Sequence, residues 1–276
     1  IQWEYYETDV NWNYKDIDLI FSHLPETTWN LANYLGNEWH HIPPVLGYCH
    51  WFDVPEVCNW QYPAFIRECE GISLMKKCYV NTESQKKLVL KNAKKQFSDE
   101  FVKKLNRTIE PYHLPVLDSE VINKIKKPFK DGLGIQTIVF NHRTKTYKDF
   151  QNFILKVCDV LWQKRKDFKV WIPLLDLGQI KEMGELTWQQ RLEKIGGCPF
   201  IMFDADYYHE LNPTADYFTG YDYAIKLLEK YLDDDEYRDE KAQESLDYVK
   251  ENLTWSTAIK RLSEDIDEVI ESTPSA

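Results

Sequence analysis

Short apolar runs alternate with amphipathic ones along most of the chain. Residues 17–23 are the first such run and predict a strand. Pro25-Glu26 follows and opens a helix: proline suits a first helical turn, and glutamate suits its positive end. Trp29, Leu31, Ala32 and Leu35 form its apolar face, and Gly36 can end it. Residues 44–50 predict a second strand, residues 64–69 lie in a helix, and residues 77–80 predict a third strand. Thr82, within Asn81-Thr82-Glu83-Ser84, supplies a cap signal for a helix over 85–95, and Ser98 caps another that runs through Leu105. Residues 108–111 are extended.

The basic stretch 124–134, with Pro128, Gly132 and Gly134, reads as a linker. A second strand–helix pattern starts after it. Residues 135–140 predict a strand, and 147–164 a helix with Phe150, Phe153, Ile154, Val157, Val160 and Leu161 on one face. Strands over 169–175 and 198–203 follow, then helices over 221–232, 235–251 and 256–271. Alternation of this kind predicts an α/β protein with mainly parallel sheets. It divides into residues 1–127 and residues 128–276, with a cleft where the two domains meet.

Composition narrows the function classes. The formal net charge of −11 argues against a surface that grips nucleic acid over its whole extent. It leaves room for a local basic track at Lys86, Lys87, Lys91, Lys94, Lys95, Lys103 and Lys104, and again from Lys124 to Lys130. No apolar run approaches the roughly 20 residues that cross a bilayer, and no leader is visible at Ile1. A cytoplasmic protein without membrane insertion is the expectation. The six cysteines form no C-x-x-C pair and read as reduced, buried thiols.

The most informative chemistry lies at 140–150, where a strand gives way to a helix. Ligands of open α/β sheets bind beyond the carboxyl ends of strands, and a helix start favours anions. Arg143 brings a bidentate phosphate contact and Lys148 a point charge, with Thr144 between them. At the end of the second strand, His50 and Asp53 suit a base and its orienter for an acceptor hydroxyl. After the strand over 198–203, Asp204, Asp206, His209 and Glu210 are placed to line a cleft. There is no G-x-x-x-x-G-K-[ST], G-x-G-x-x-G or G-x-S-x-G.

Arg143-Thr144-x-Thr146-Tyr147-Lys148-x-Phe150 resembles the donor motif of GT-B glycosyltransferases, most of all the bacteriophage enzymes that glucosylate hydroxymethylcytosine in DNA. The resemblance implies two Rossmann-like domains and no cofactor beyond a nucleotide-diphosphate sugar as co-substrate. It assigns donor contacts to Arg143, Lys148 and Thr144, with Asp204 and Glu210 on the donor side, no metal, and duplex DNA as a partner in the host cytoplasm. The family has glycine after the lysine; here it is Asp149. Tyr48-Cys49-His50-Trp51-Phe52-Asp53 is similar to a family strand end in which Asp directly follows His; Trp51 and Phe52 intervene here. Gly196-Gly197-Cys198-Pro199 is similar to a late donor segment, with Leu192 where the family has its ribose-contacting Glu. Thr254-Trp255-Ser256 resembles the step before a closing helix that crosses back to the first domain.

The resemblance also implies β/α units ahead of residue 17, and a strand and a helix between Leu175 and Gly197. Residues are therefore expected to be missing in both places, with a spatial jump in the second. Three other readings stand beside this one: an enzyme of surface polysaccharide or lipid-linked sugar, a non-catalytic α/β binding protein, and a metal-dependent GT-A enzyme using Asp204-Ala205-Asp206.

Overall fold

The computed structural model describes residues 17–39, 42–56, 62–113, 115, 135–140, 149–172, 199 and 201–273. The stretch 175–197, where a jump is expected, lies outside the described residues. The chain divides into two compact units, Ile1–Leu114 with Ile259–Ala276, and Pro115–Ala258.

The first unit is built on four parallel strands in chain order: β1 (Ile20–Ser22), β2 (Val45–Cys49), β3 (Lys77–Val80) and β4 (Ile109–Pro111). Parallel neighbours need a crossover, and the helices α1 (Pro25–Trp39), α2 (Tyr62–Ser73), α3 (Glu83–Ala93) and α4 (Asp99–Thr108) supply it. Right-handed crossovers between sequentially ordered strands put these helices on one face of the sheet. Val45, Cys49, Cys78 and Val80 face Phe65, Cys69, Ile72, Val89 and Leu105 across that core. Thr82 and Ser98 cap α3 and α4 by accepting from the backbone N–H groups of Gln85 and Phe101.

Gly36 does not end α1, which continues to Trp39. A Cβ there would make ordinary contact with the Ile42 side chain at 3.4 Å, so a glycine at this position is tolerated inside the helix rather than demanded by packing. Gly71 is tighter. Its missing Cβ would lie 1.8 Å from the Pro25 carbonyl oxygen, where α2 meets the first turn of α1.

On the other face of the sheet, the last helix adds a charged latch. Lys77 of β3 reaches Asp265 at 2.6 Å and Glu268 at 2.9 Å, and the Tyr79 hydroxyl donates to Asp265 at 2.6 Å. Burial opposes the charge on Asp265, but hydrogen bonds from Lys77 and Tyr79 outweigh it and hold its pKa below the usual carboxylate range.

In the second unit, β5 (Gln136–Val139) pairs in parallel with β6 (Phe168–Trp171), and β7 (Ile201–Phe203) with β8 (Asp216–Phe218). Helix α5 runs from β5 towards β6 and is α-helical over Phe150–Asn152, π-wound over Phe153–Cys158 and α-helical again over Asp159–Lys164. Val160, expected on the apolar face, is exposed instead. A π turn holds more residues, so the i+4 series Phe153, Val157 and Leu161 keeps one face while Val160 drops off it. The short helix α6 (Asp206–Leu211) joins β7 to β8, followed by α7 (Tyr221–Asp233) and α8 (Asp235–Asn252); the last helix, α9 (Trp255–Glu271), starts in this unit and from Ile259 onward belongs to the first. Ile138, Leu161, Phe168, Ala224, Ile225 and Leu228 form the core of this unit.

Among the described residues, no helix is long and apolar enough to cross a membrane. Cys49, Cys69, Cys78 and Cys158 are free and buried, and burial raises the pKa of each, that of Cys78 to about 12.

The α1–α2 contact gives a direct test of the packing. Gly71→Ala must push two backbones apart and is expected to destabilise the first unit by roughly 1–3 kcal/mol or more. Denaturant unfolding followed by circular dichroism reads this; an unchanged midpoint would show that the close approach is not there.

Candidate functional site

In a parallel sheet every strand ends at the same edge, so polar groups that follow the strands gather there. In the first unit, His23 follows β1 and packs edge-on to Tyr48, with ring centres 6.3 Å apart. After β2 come His50, exposed, and the loop Trp51–Val54. Asn81 follows β3 and ties this edge together: the Tyr48 hydroxyl donates to its side-chain oxygen, and its amide donates to the His50 carbonyl at 3.1 Å.

His50 and Asp53 thus sit on one loop, but Asp53 Oδ1 accepts from the Trp51 indole at 3.1 Å. The Asp53 backbone N–H points inward to the Glu68 carboxylate, 3.1 Å from Oε2 and 3.3 Å from Oε1. Glu68 is a candidate group that the pattern of strand ends and motifs does not bring out. It lies three residues after Phe65 and four before Ile72, on the apolar stripe of α2, and is only 4% exposed. That position was the signal: a carboxylate at a core position of a helix needs a reason. Burial pushes its pKa up to about 7, the Asp53 N–H pulls it down in part, and the negative charges of Asp53 and Glu26 raise it further.

In the second unit, Arg143, Thr144 and Lys148 lie outside the described residues. The residue after them does not. Asp149 has φ 55° and ψ 23°, in the left-handed region that favours glycine. Aspartate enters that region more readily than most residues because its short side chain bonds locally. Here the carboxylate accepts from Asn152 at 2.7 Å and from the Tyr221 hydroxyl at 2.7 Å. The position at which the resembled motif carries glycine is thus a left-handed one in this chain. Lys156 stands over the Tyr221 ring, 4.9 Å from its centre.

Beyond β7, Asp204 and His209 come together, with Asp204 Oδ1 2.7 Å from His209 Nε2. The His209 ring stacks on Tyr217 at 3.6 Å, and Tyr217 donates its hydroxyl to the Tyr208 carbonyl at 2.9 Å. A carboxylate that fixes one imidazole nitrogen leaves the pair able to bind a hydroxyl or move a proton. Glu210 is half-buried on α6, which Asp206 opens. Among the described residues, no group of three or more His, Cys, Asp or Glu side chains is placed to hold a metal ion.

The fold and this edge chemistry define an α/β protein of parallel sheets, with polar and acid–base groups at the carboxyl ends of its strands. It is similar in fold to Anabaena Alr3699/HepE, whose crystal structure was solved in complex with UDP-glucose. The TM-score is 0.65 at 11% sequence identity, over 92% of this chain and 80% of that chain. No protein-family model matches the sequence, and no curated protein matches it either.

Glu68 makes stability depend on pH. An unfolded glutamate titrates near 4.3, as a rough reference, so the folded protein keeps this proton to higher pH. Stability from this group is therefore full below the unfolded value and falls as pH rises towards about 7, the folded value. Glu68→Gln keeps an oxygen for the Asp53 N–H and removes the ionisation. It is expected to be more stable than the native chain by roughly 1–3 kcal/mol at pH 8, with the advantage fading near pH 4–5. Melting temperatures across that range test it; parallel curves for the two proteins would rule it out.

Proposed function

We propose that the chain is a glycosyltransferase of the two-domain GT-B architecture that moves a sugar from a nucleotide-diphosphate donor to an acceptor hydroxyl. The observation that carries this reading is the fold likeness, over 92% of the chain, to a structure that holds UDP-glucose. The left-handed turn at Asp149, directly after the Arg143–Lys148 motif, adds support from this chain's own backbone.

Leaving-group charge is the chemical problem in such a transfer, and fixed positive charge answers it. Arg143 and Lys148 hold and neutralise the diphosphate, with Thr144 adding a hydroxyl. Asp204 and Glu210 bind donor hydroxyls, and His209 enters the same set through its contact with Asp204. On the acceptor side, His50 takes the proton of the attacking hydroxyl, with Asp53 on the same loop.

Two acceptors stand at this point: a hydroxymethylated pyrimidine in duplex DNA, which the phage resemblance implies, and a sugar of a surface polysaccharide or lipid-linked saccharide. Of the lysines on which the DNA acceptor relies, Lys91 is paired with Glu56 at 2.7 Å and Lys95 stands 3.8 Å from the same carboxylate. Lys124 to Lys130 lie outside the described residues.

Titration of UDP against purified variants tests the donor assignment. Arg143→Ala is expected to weaken binding by roughly 1.5–3 kcal/mol, the value of hydrogen bonds to a charged group. Lys148→Ala, removing a point charge, should cost less. Unchanged affinity in both variants would remove the donor site from this turn.

A further inference from the structure

Trp51 is 63% exposed, yet it is not loose. Its indole N–H donates to Asp53 at 3.1 Å, and the Asp53 backbone N–H is held by Glu68 from inside the core. The Cys49 thiol donates to the Trp51 carbonyl at 2.7 Å. Phe52 and Val54, on either side of Asp53, are buried in the core cluster. A large aromatic ring is thus fixed at its edge and along its backbone while much of it remains open to solvent. A free exposed side chain loses rotamer entropy when a ligand orders it; a tethered ring has already lost most of that freedom.

An open aromatic face suits a flat partner with an apolar side, either a saccharide ring through its C–H face or a nucleobase. Charge separates the two. The Asp53 carboxylate on the indole N–H places negative charge at the ring and enriches its π face. Glu26 adds negative charge close enough to this edge to raise the Glu68 pKa. A phosphodiester backbone is repelled there, whereas a neutral polyhydroxyl chain is not. Exposed His50, next in sequence to Trp51, adds a hydrogen-bonding ring for a hydroxyl.

We propose that Trp51, held in place by Asp53 and Glu68, is the platform on which a neutral saccharide acceptor stacks. The acceptor role rests on the glycosyl-transfer reading above; the stacking itself is read without any donor. Glu68 is a positioning residue in this arrangement, acting on the ring through Asp53.

The test is calorimetric titration of neutral gluco-, galacto- and manno-oligosaccharides into the full chain and its variants, at low and moderate salt. UDP-glucose is titrated into the same samples. At least one saccharide should bind the native chain with little salt dependence, and Trp51→Ala should weaken it tenfold or more, with Trp51→Phe in between. Glu68→Ala should also weaken it, and Glu68→Gln, which keeps an acceptor for the Asp53 N–H, should restore it. Equal affinity in native and Trp51→Ala proteins, or no saccharide binding at all, overturns the proposal. So does salt-sensitive binding of duplex DNA that depends on Trp51 while saccharides fail, which would give the platform to bases. If saccharides behave as expected and UDP-glucose does not bind, the platform stands and the glycosyl-transfer reading falls.

Discussion

Parallel strands cannot be joined by tight turns, and much of this protein follows from that constraint. Each strand of the first sheet must hand the chain to a helix and receive it back at the opposite end. All four carboxyl ends therefore lie along one edge, and the residues that follow them are brought together although they are far apart in sequence. His23, His50 and Asn81 meet in this way, joined by Tyr48. In the second unit the same constraint puts Asp149 after β5 and Asp204 after β7.

Buried polar groups then fix what the edge presents. The Glu68 carboxylate is costly inside the core, and the hydrogen bond from the Asp53 N–H offsets that cost only in part. What it holds is the loop that carries Trp51 and His50. Asp265 is the opposite case. Its charge is stabilised by Lys77 and the Tyr79 hydroxyl, so it fastens the last helix to the sheet face away from α1–α4. One carboxylate serves the site at a cost to stability, and the other serves stability.

Much of the fold was legible in the residues. The caps at Thr82 and Ser98, the strand Lys77–Val80 and the three long helices after Gly220 follow from local chemistry, which the tertiary structure leaves in place. Gly36 and Val160 were not legible. A glycine inside a helix costs only about 1 kcal/mol, which the packing of the rest of α1 outweighs, and Val160 depends on a π turn that shifts the helical period. Helix α6 and β8 were missed because elements of six and of three residues carry little periodic signal. The placement of His50 and Asp53 just after β2 was legible in the sequence, but the hydrogen-bond partner of Asp53 was not. Which donor a carboxylate accepts from depends on side-chain directions within a loop, and sequence spacing does not give them. Glu68 was visible in principle, as a lone charge on the stripe Phe65, Cys69 and Ile72.

The central claim is that the second unit holds the diphosphate of a nucleotide sugar. A ligand that binds only the folded chain raises its melting temperature in proportion to the binding free energy. Thermal melts of the full chain with UDP, ADP, GDP and dTDP, each beside its nucleoside, test this without any choice of acceptor. The account predicts that at least one diphosphate raises the melting temperature by several degrees or about that, while its nucleoside does little. Identical melting temperatures with and without every diphosphate would contradict it.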